Sequence, residues 1–282
     1  MIINLVIRNV KIYFRDKASV FFSMLSVFII IGLYVLFLGD MVKGSGEFAG
    51  DNARFLTDSW IMAGVIATAT ITSTLGGLGQ MVDDLSKKIN RDFETAPIER
   101  WKIVISYAIS SLIIGVIMST LTFVLAEIYI IAYGGEIVSF LALLRILGII
   151  CLSTVASSAF LFFFVSMVKT MNAYSTISTI VGTLIGFLMG IYVPIGALPN
   201  AIQSFIKVFP FSHSAALMRQ VMINEAVELE YLPREVSETL GVQFYFNDTL
   251  ATPLVSILVL VGTALIFFGL SVLVTSKRKR EA

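Results

Sequence analysis

The sequence predicts an all-α polytopic membrane protein forming one domain, residues 1–282. It has six transmembrane helices, an N-terminal interfacial helix over residues 1–17, and an outer re-entrant helical hairpin after the fifth span. Three observations predict this. The 282-residue chain is 57% hydrophobic and only 14% charged, with a mean hydropathy of +0.91, whereas soluble domains are roughly a quarter charged. Apolar windows of about twenty residues or more, enough to cross hydrocarbon, recur six times. After the fifth window, Pro194, Pro199 and Pro210 interrupt a stretch that stays largely apolar up to Phe211. Proline removes a backbone donor and clashes with the preceding turn, so no single helix continues through that stretch.

Taken in order, Asn4, Arg8, Lys11 and Arg15 recur at spacings of four, three and four, which puts them on one helical stripe. Ile2, Leu5, Val6, Val10, Tyr13 and Phe14 cover the rest. This pattern predicts an amphipathic helix lying in the interface. A plain cytosolic extension of the first span would leave too many apolar residues in water. The spans follow at residues 18–38, 59–79, 103–132, 141–168, 174–193 and 251–275. The first lacks a small-residue cleavage site and is expected to be retained rather than removed as a signal peptide. The third and fourth exceed what a bilayer needs, so tilt or extension into solvent is expected.

Basic residues set the orientation. Arg8, Lys11, Arg15 and Lys17 precede the first span; Lys87, Lys88, Arg91, Arg100 and Lys102 lie between the second and third. Lys169 sits between the fourth and fifth, and Lys277, Arg278, Lys279 and Arg280 follow the sixth. The opposite loops carry only Lys43, Arg54, Lys207, Arg219 and Arg234. Both termini are therefore expected in the cytosol. The interrupted segment, with Asn200, Gln203, Lys207 and His213, falls outside. There, 40–58 reads as a glycine-containing connector and 194–250 as the hairpin plus an extracellular region. Leu217, Met218 and Val221 are expected on a surface helix before Pro233.

The chain offers little chemistry. A single Cys151 and a single His213 exclude an intrachain disulfide and a cysteine or multi-histidine metal cluster, so no metal site is expected. There is no Walker-type phosphate loop and no nucleophile, base and orienter set, so the chain is not expected to be an enzyme. Only Glu127 and Arg145 intrude into the spans. Both lie near outer ends, where snorkelling or mutual pairing is favoured over ion coupling. The energy for any transport must then come from a partner.

The largest cytosolic connection, 80–102, contains Lys88, Arg91, Asp92, Phe93, Glu94, Pro97 and Arg100. It reads either as a short charged helix around Phe93 that docks on a partner or as a solvated basic loop. Polar faces occur in two spans: Thr70, Ser73 and Thr74 in the second, and Asn172, Thr176, Thr179 and Thr183 in the fifth, the latter bordered by Gly182, Gly186 and Gly190. Such faces line a polar path or pack helices closely; the spacing admits both.

Several segments together resemble the ABC-2-type permeases, the membrane subunits of ATP-driven exporters. IRNVKIYFRDKAS is similar to that family's connecting helix. ETAPIERWKI, with Pro97, Arg100 and Trp101, is similar to the end of its coupling-helix loop. In YVPIGALPNAIQSFIKVFPFSHSAALMR, residues Pro194, Leu198, Pro199, Pro210 and His213 sit where the family has its outer re-entrant signature. One departure is KKINRDFETAP, which lacks the glycine of the family's usual Glu-x-Gly-Thr-Leu-Glu and points to a divergent subgroup.

The resemblance implies six spans per subunit, a dimer with a second permease copy or paralogue, and cytosolic ABC ATPase subunits that hold ATP and Mg. No cofactor is expected on this chain and no nucleic acid as a partner; membrane lipid surrounds it. It implies a multi-pass plasma-membrane protein whose loop 83–100 meets the ATPase through Phe93 and Glu94. Thr70, Ser73, Thr74, Thr176, Thr179, Thr183 and Gly186 would lead along the path, and Pro194, Leu198, Pro199, Pro210 and His213 would form the outer gate. The expected cargo is an amphipathic compound such as a drug, antibiotic or peptide. The alternatives are export of a lipid-linked polysaccharide or teichoic acid and, in another class, a membrane sensor using 214–250 as a recognition surface.

Overall fold

The axis of the molecule is helix α3, Ala53–Ser86, which is buried along nearly its whole length. In the computed structural model, the residues described are 1–33, 53–89, 98–227, 229, 232–246 and 249–277. Before α3 come α1 (Ile2–Arg15) and α2 (Lys17–Leu33). After it come α4 (Arg100–Ala132), α5 (Phe140–Ser166), α6 (Met171–Leu188), a 3₁₀ turn (Ile195–Ala197), α7 (Asn200–Val208), α8 (Pro210–Ala226), α9 (Arg234–Thr239), strands β1 (Tyr245–Phe246) and β2 (Thr249–Leu250), and α10 (Pro253–Lys277). The strands pair antiparallel, Tyr245 opposite Leu250. α4, α5, α6 and α8 surround α3; α10 lies against α5 and α8, and α1 lies along α4.

Among the described residues, five helices are long and apolar enough to cross a membrane: Arg54–Ser86, Trp101–Ala132, Phe140–Ser166, Met171–Leu188 and Pro253–Leu273. α2 is a shorter apolar helix, and the window 18–38 runs beyond the described residues. At about 1.5 Å per residue, the 34 residues of α3 extend roughly 50 Å, well past hydrocarbon of about 30 Å. α3 therefore outruns the window 59–79, and the connection expected from residue 80 starts only at Lys87. Gln80, Asp83 and Asp84 lower the hydropathy there, but none of them breaks a helix.

Small residues set the spacing of the bundle. A Cβ on Gly77 would stand 2.9 Å from the Ser111 backbone, and one on Gly115 would meet Thr74 Oγ1 at 2.4 Å and Thr154 at 2.6 Å. α3, α4 and α5 thus approach nearly backbone to backbone. Hydroxyls inside this contact turn onto main-chain carbonyls, Thr70 onto Ala67 and Thr154 onto Ile150, which satisfies these two donors within their own helices.

The interruption after the fifth span has a different cause from the one expected. α6 stops at Leu188, short of 193, in a Schellman motif. Gly190 takes φ +64°, its N–H bonds to Phe187 O, and the Ile191 N–H reaches back to Gly186 O. The prolines start helices instead of ending one. Pro199 immediately precedes α7, and Pro210 is the first residue of α8, where a missing N–H costs nothing.

α8 is the largest correction. The surface helix expected around Leu217, Met218 and Val221 is an interior one, with Leu217 and Met218 buried and Val221 half-buried. Its polar side chains find partners inside: Ser214 with Ser153 at 2.6 Å and Gln220 Nε2 with Val242 O at 2.7 Å.

Candidate functional site

Asp84, on the last turn of α3, is wholly buried and gathers donors from three helices. Arg8 of α1 forks onto it, with Nη1 at 2.7 Å from Oδ2 and Nη2 at 3.1 Å from Oδ1. Tyr107 of α4 donates to Oδ2 at 2.6 Å, and Gln80, one turn earlier, donates to Oδ1 at 2.7 Å. Arg8 Nη1 also donates to Asn9 Oδ1 at 2.9 Å, and the buried Asn9 amide reaches Ser110 Oγ at 3.3 Å. A bidentate guanidinium–carboxylate pair is directional as well as strong. The hydrogen bond to Asp84 raises the Arg8 pKa further, so the cation is permanent.

This node sits at the base of the predicted coupling loop. α3 closes with Lys88 N–H on Leu85 O and Ile89 N–H on the main-chain carbonyl of Asp84 itself. Lys88 adopts φ +62° there, the sole non-glycine residue with positive φ among those described. A left-handed lysine costs on the order of 1 kcal/mol. The chain thus leaves α3 through a strained residue whose neighbour Ile89 bonds back to the main-chain carbonyl of Asp84. Across the loop, α4 opens at Arg100, with Trp101 Nε1 and Lys102 both bonded to Glu99. Arg91, Asp92, Phe93, Glu94 and Pro97 lie outside the described residues.

The two predicted polar faces part company. Thr70, Ser73 and Thr74 are buried and line no open surface; Gly115 of α4 lies directly against Thr74. In α6, by contrast, Asn172, Ser175, Thr176, Thr179 and Thr183 are all exposed along one stripe. Thr176 and Thr179 donate to Asn172 O and Ser175 O. A second stripe of Ile180, Leu184 and Phe187 is exposed beside it, while Tyr174 and Ile185 pack inward. Tyr174 ties the helix to α3 by donating to Leu75 O at 2.6 Å. Gly186 lines nothing: the ring of Tyr192 folds onto it, leaving no room for a Cβ.

At the other end of the bundle, Arg219 of α8 is almost completely buried, with no carboxylate partner among the described residues. Its guanidinium bonds to Met189 O at 2.7 Å, Gly190 O at 3.0 Å and Gly241 O at 3.4 Å, and it lies 5.1 Å from the Trp60 ring. Gly241 has φ +63° and ends α9 as Gly190 ends α6, with the Val242 N–H returning to Ser237 O. Two helix C-termini, each carrying partial negative charge, therefore point at one cation. Trp60 Nε1 clamps the same turn by donating to Leu240 O at 2.7 Å.

The predicted outer residues frame this centre. His213 is buried, with Nε2 at 3.0 Å from Lys207 O and Nδ1 at 3.0 Å from Ser256 Oγ; a neutral ring protonated on Nε2 satisfies both. Lys207 Nζ bonds to Glu238 at 2.6 Å. Pro194 and Leu198 flank the 3₁₀ turn, Leu198 O accepting from Gln203 at 2.7 Å. Glu127 and Arg145 do not pair: Arg145 is exposed, while buried Glu127 accepts the Val138 N–H at 3.3 Å.

Sequence reasoning passed over Asp84 and counted Arg219 only as an outer-loop charge, whereas it lies buried in α8. The available signals were the Gln80–Asp84 spacing of four at the end of an apolar helix, and one arginine inside the run SAALMRQVM. A family model described as "ABC-2 type transporter" matches residues 2–223. No curated protein matches the chain.

Proposed function

The chain belongs to the ABC-2 type transporter family, and from that premise we propose that it is the permease subunit of an ATP-driven exporter of amphipathic compounds. The family supplies the membrane component of ABC-type transporters and works with an ATP-binding-cassette partner. In the proposed reading this chain contributes six spans, with α2 as the first, and pairs with a second copy or paralogue in the plasma membrane. Both termini are cytosolic, ATP and Mg sit on separate ATPase subunits, and the segment 194–211 forms a re-entrant outer gate.

The observation that supports this best is the three-faced character of α6. One face packs on α3, one is greasy, and one carries five exposed polar side chains. Even with the Thr176 and Thr179 hydroxyls bonded back to their own helix, a polar stripe that includes Asn172 and Ser175 suits a second subunit or a water-filled path better than lipid tails. Thr176, Thr179 and Thr183 are the path residues in this reading; Thr70, Ser73 and Thr74 act behind them as packing. ATPase closure would push the loop containing Phe93 and Glu94, and the Asp84 node would pass the displacement to α1, α3 and α4 together.

The test is purification of the chain from its native membrane with its bound proteins, followed by efflux assays in everted vesicles. A stoichiometric ABC ATPase and ATP-dependent uptake of an amphipathic dye are expected. A kinase or protease as the stoichiometric partner would instead establish the sensor reading. Uptake of lipid-linked saccharide without dye would establish the polysaccharide reading.

A further inference from the structure

α1 has three faces, and only two have been accounted for. Leu5, Val6, Asn9 and Tyr13 pack inward, and Arg8 reaches Asp84. On the outer side, Asn4, Ile7, Arg8, Lys11, Ile12 and Arg15 line an open groove of about 370 Å³. Lys11 and Arg15 are exposed and form no ion pair among the described residues. Beside this basic wall runs an apolar one: Ile3 is 70% exposed and Ile7 44% exposed. Only Asp16 separates α1 from α2, and its Oδ1 accepts the Ala18 N–H at 3.1 Å, so Arg15 lies within a turn of an apolar membrane helix.

We propose that this groove binds the phosphate of an anionic phospholipid, held by Lys11 and Arg15, with the acyl chains lying along Ile7 and Ile3. Two features select a lipid over an acidic protein surface. The cations and the exposed isoleucines share one helix, which matches a ligand that has a charged head and apolar tails. The junction with α2 sets the cations at headgroup depth, where each basic residue contributes about 1 kcal/mol towards an anionic surface. A zwitterionic headgroup carries a compensating choline and gains far less. Because Arg8 forms one wall, the bound phosphate lies next to the Arg8–Asp84 pair.

Native mass spectrometry of the full chain, released from nanodiscs of equal phosphatidylglycerol and phosphatidylcholine, tests this. One retained phosphatidylglycerol is expected. Lys11→Gln with Arg15→Gln should weaken retention about thirty-fold, the equivalent of ~2 kcal/mol for two cations, and Ile7→Asn should weaken it with all charges kept. Both variants are at exposed positions, and an unchanged elution profile in detergent confirms that they fold. Equal retention of both lipids, or unchanged phosphatidylglycerol in the double variant, overturns the proposal. Displacement by millimolar inorganic phosphate would show a free-anion site and also overturn it. Loss of ATPase association in the double variant, with lipid retention intact, would reassign the groove to a protein partner.

Discussion

Two buried charges, Asp84 and Arg219, are solved by opposite means, and the difference predicts different phenotypes. Asp84 is a carboxylate whose partners come from three separate helices, so its loss loosens their relative placement. In Asp84→Asn the forked pair with Arg8 is lost while the shape is kept. We expect at least a tenfold fall in partner-stimulated ATPase activity. The stability loss should be only about 2 kcal/mol, because Arg8 is partly solvated. The swap Arg8→Asp with Asp84→Arg should recover part of the coupling; no recovery would mean that the pair merely fills space. Among the described residues Arg219 has no anion to lose. Arg219→Leu strands the carbonyls of Met189, Gly190 and Gly241 around an apolar side chain, at about 3 kcal/mol or more. A drop in melting temperature of roughly 5–10 °C in detergent is expected, and a shift under 2 °C would refute the clamp.

Among the elements, α6 and α8 show how far periodicity can be trusted. Both carry polar residues in apolar surroundings. In α6 these remain exposed because Tyr174 and Ile185 occupy the inward face. In α8 they are enclosed because α3, α5 and α10 pack around it. For α6 a direct measurement follows. In a Cys151→Ser background, Thr179→Cys should form a disulfide-linked dimer on mild oxidation in membranes, while Ile180→Cys, on the adjacent greasy stripe, should not. The reverse result would place the second copy elsewhere. The three prolines were legible as punctuation, but their role was inverted: they open the 3₁₀ turn, α7 and α8, and Gly190 ends the span. In the sequence Gly190 reads only as one of the small residues beside the polar face, because a Schellman glycine is distinguished by its φ, and in an apolar run it resembles a packing glycine.

For the molecule as a whole, the arrangement has two poles: a node at Asp84 at the end of α3 and a clamp at Arg219 beside the 3₁₀ turn. Labelling tests their sidedness. In sealed right-side-out vesicles of Cys151→Ser protein, an impermeant maleimide should modify Asn200→Cys and leave Lys88→Cys untouched; modification of Lys88→Cys would invert the topology. The sequence alone determined the predominantly helical membrane class, the position of most spans and the family resemblance, because hydropathy and proline chemistry act locally and need no knowledge of neighbours. Only the tertiary structure decided that α3 is the axis, that α8 is interior, that Thr70, Ser73 and Thr74 pack while Thr176, Thr179 and Thr183 stay exposed, and that Asp84 and Arg219 hold the two ends. These depend on which residues distant in sequence meet: Arg8 and Asp84, or Arg219 and Gly241. Partners satisfy a buried charge only once the chain has brought them together.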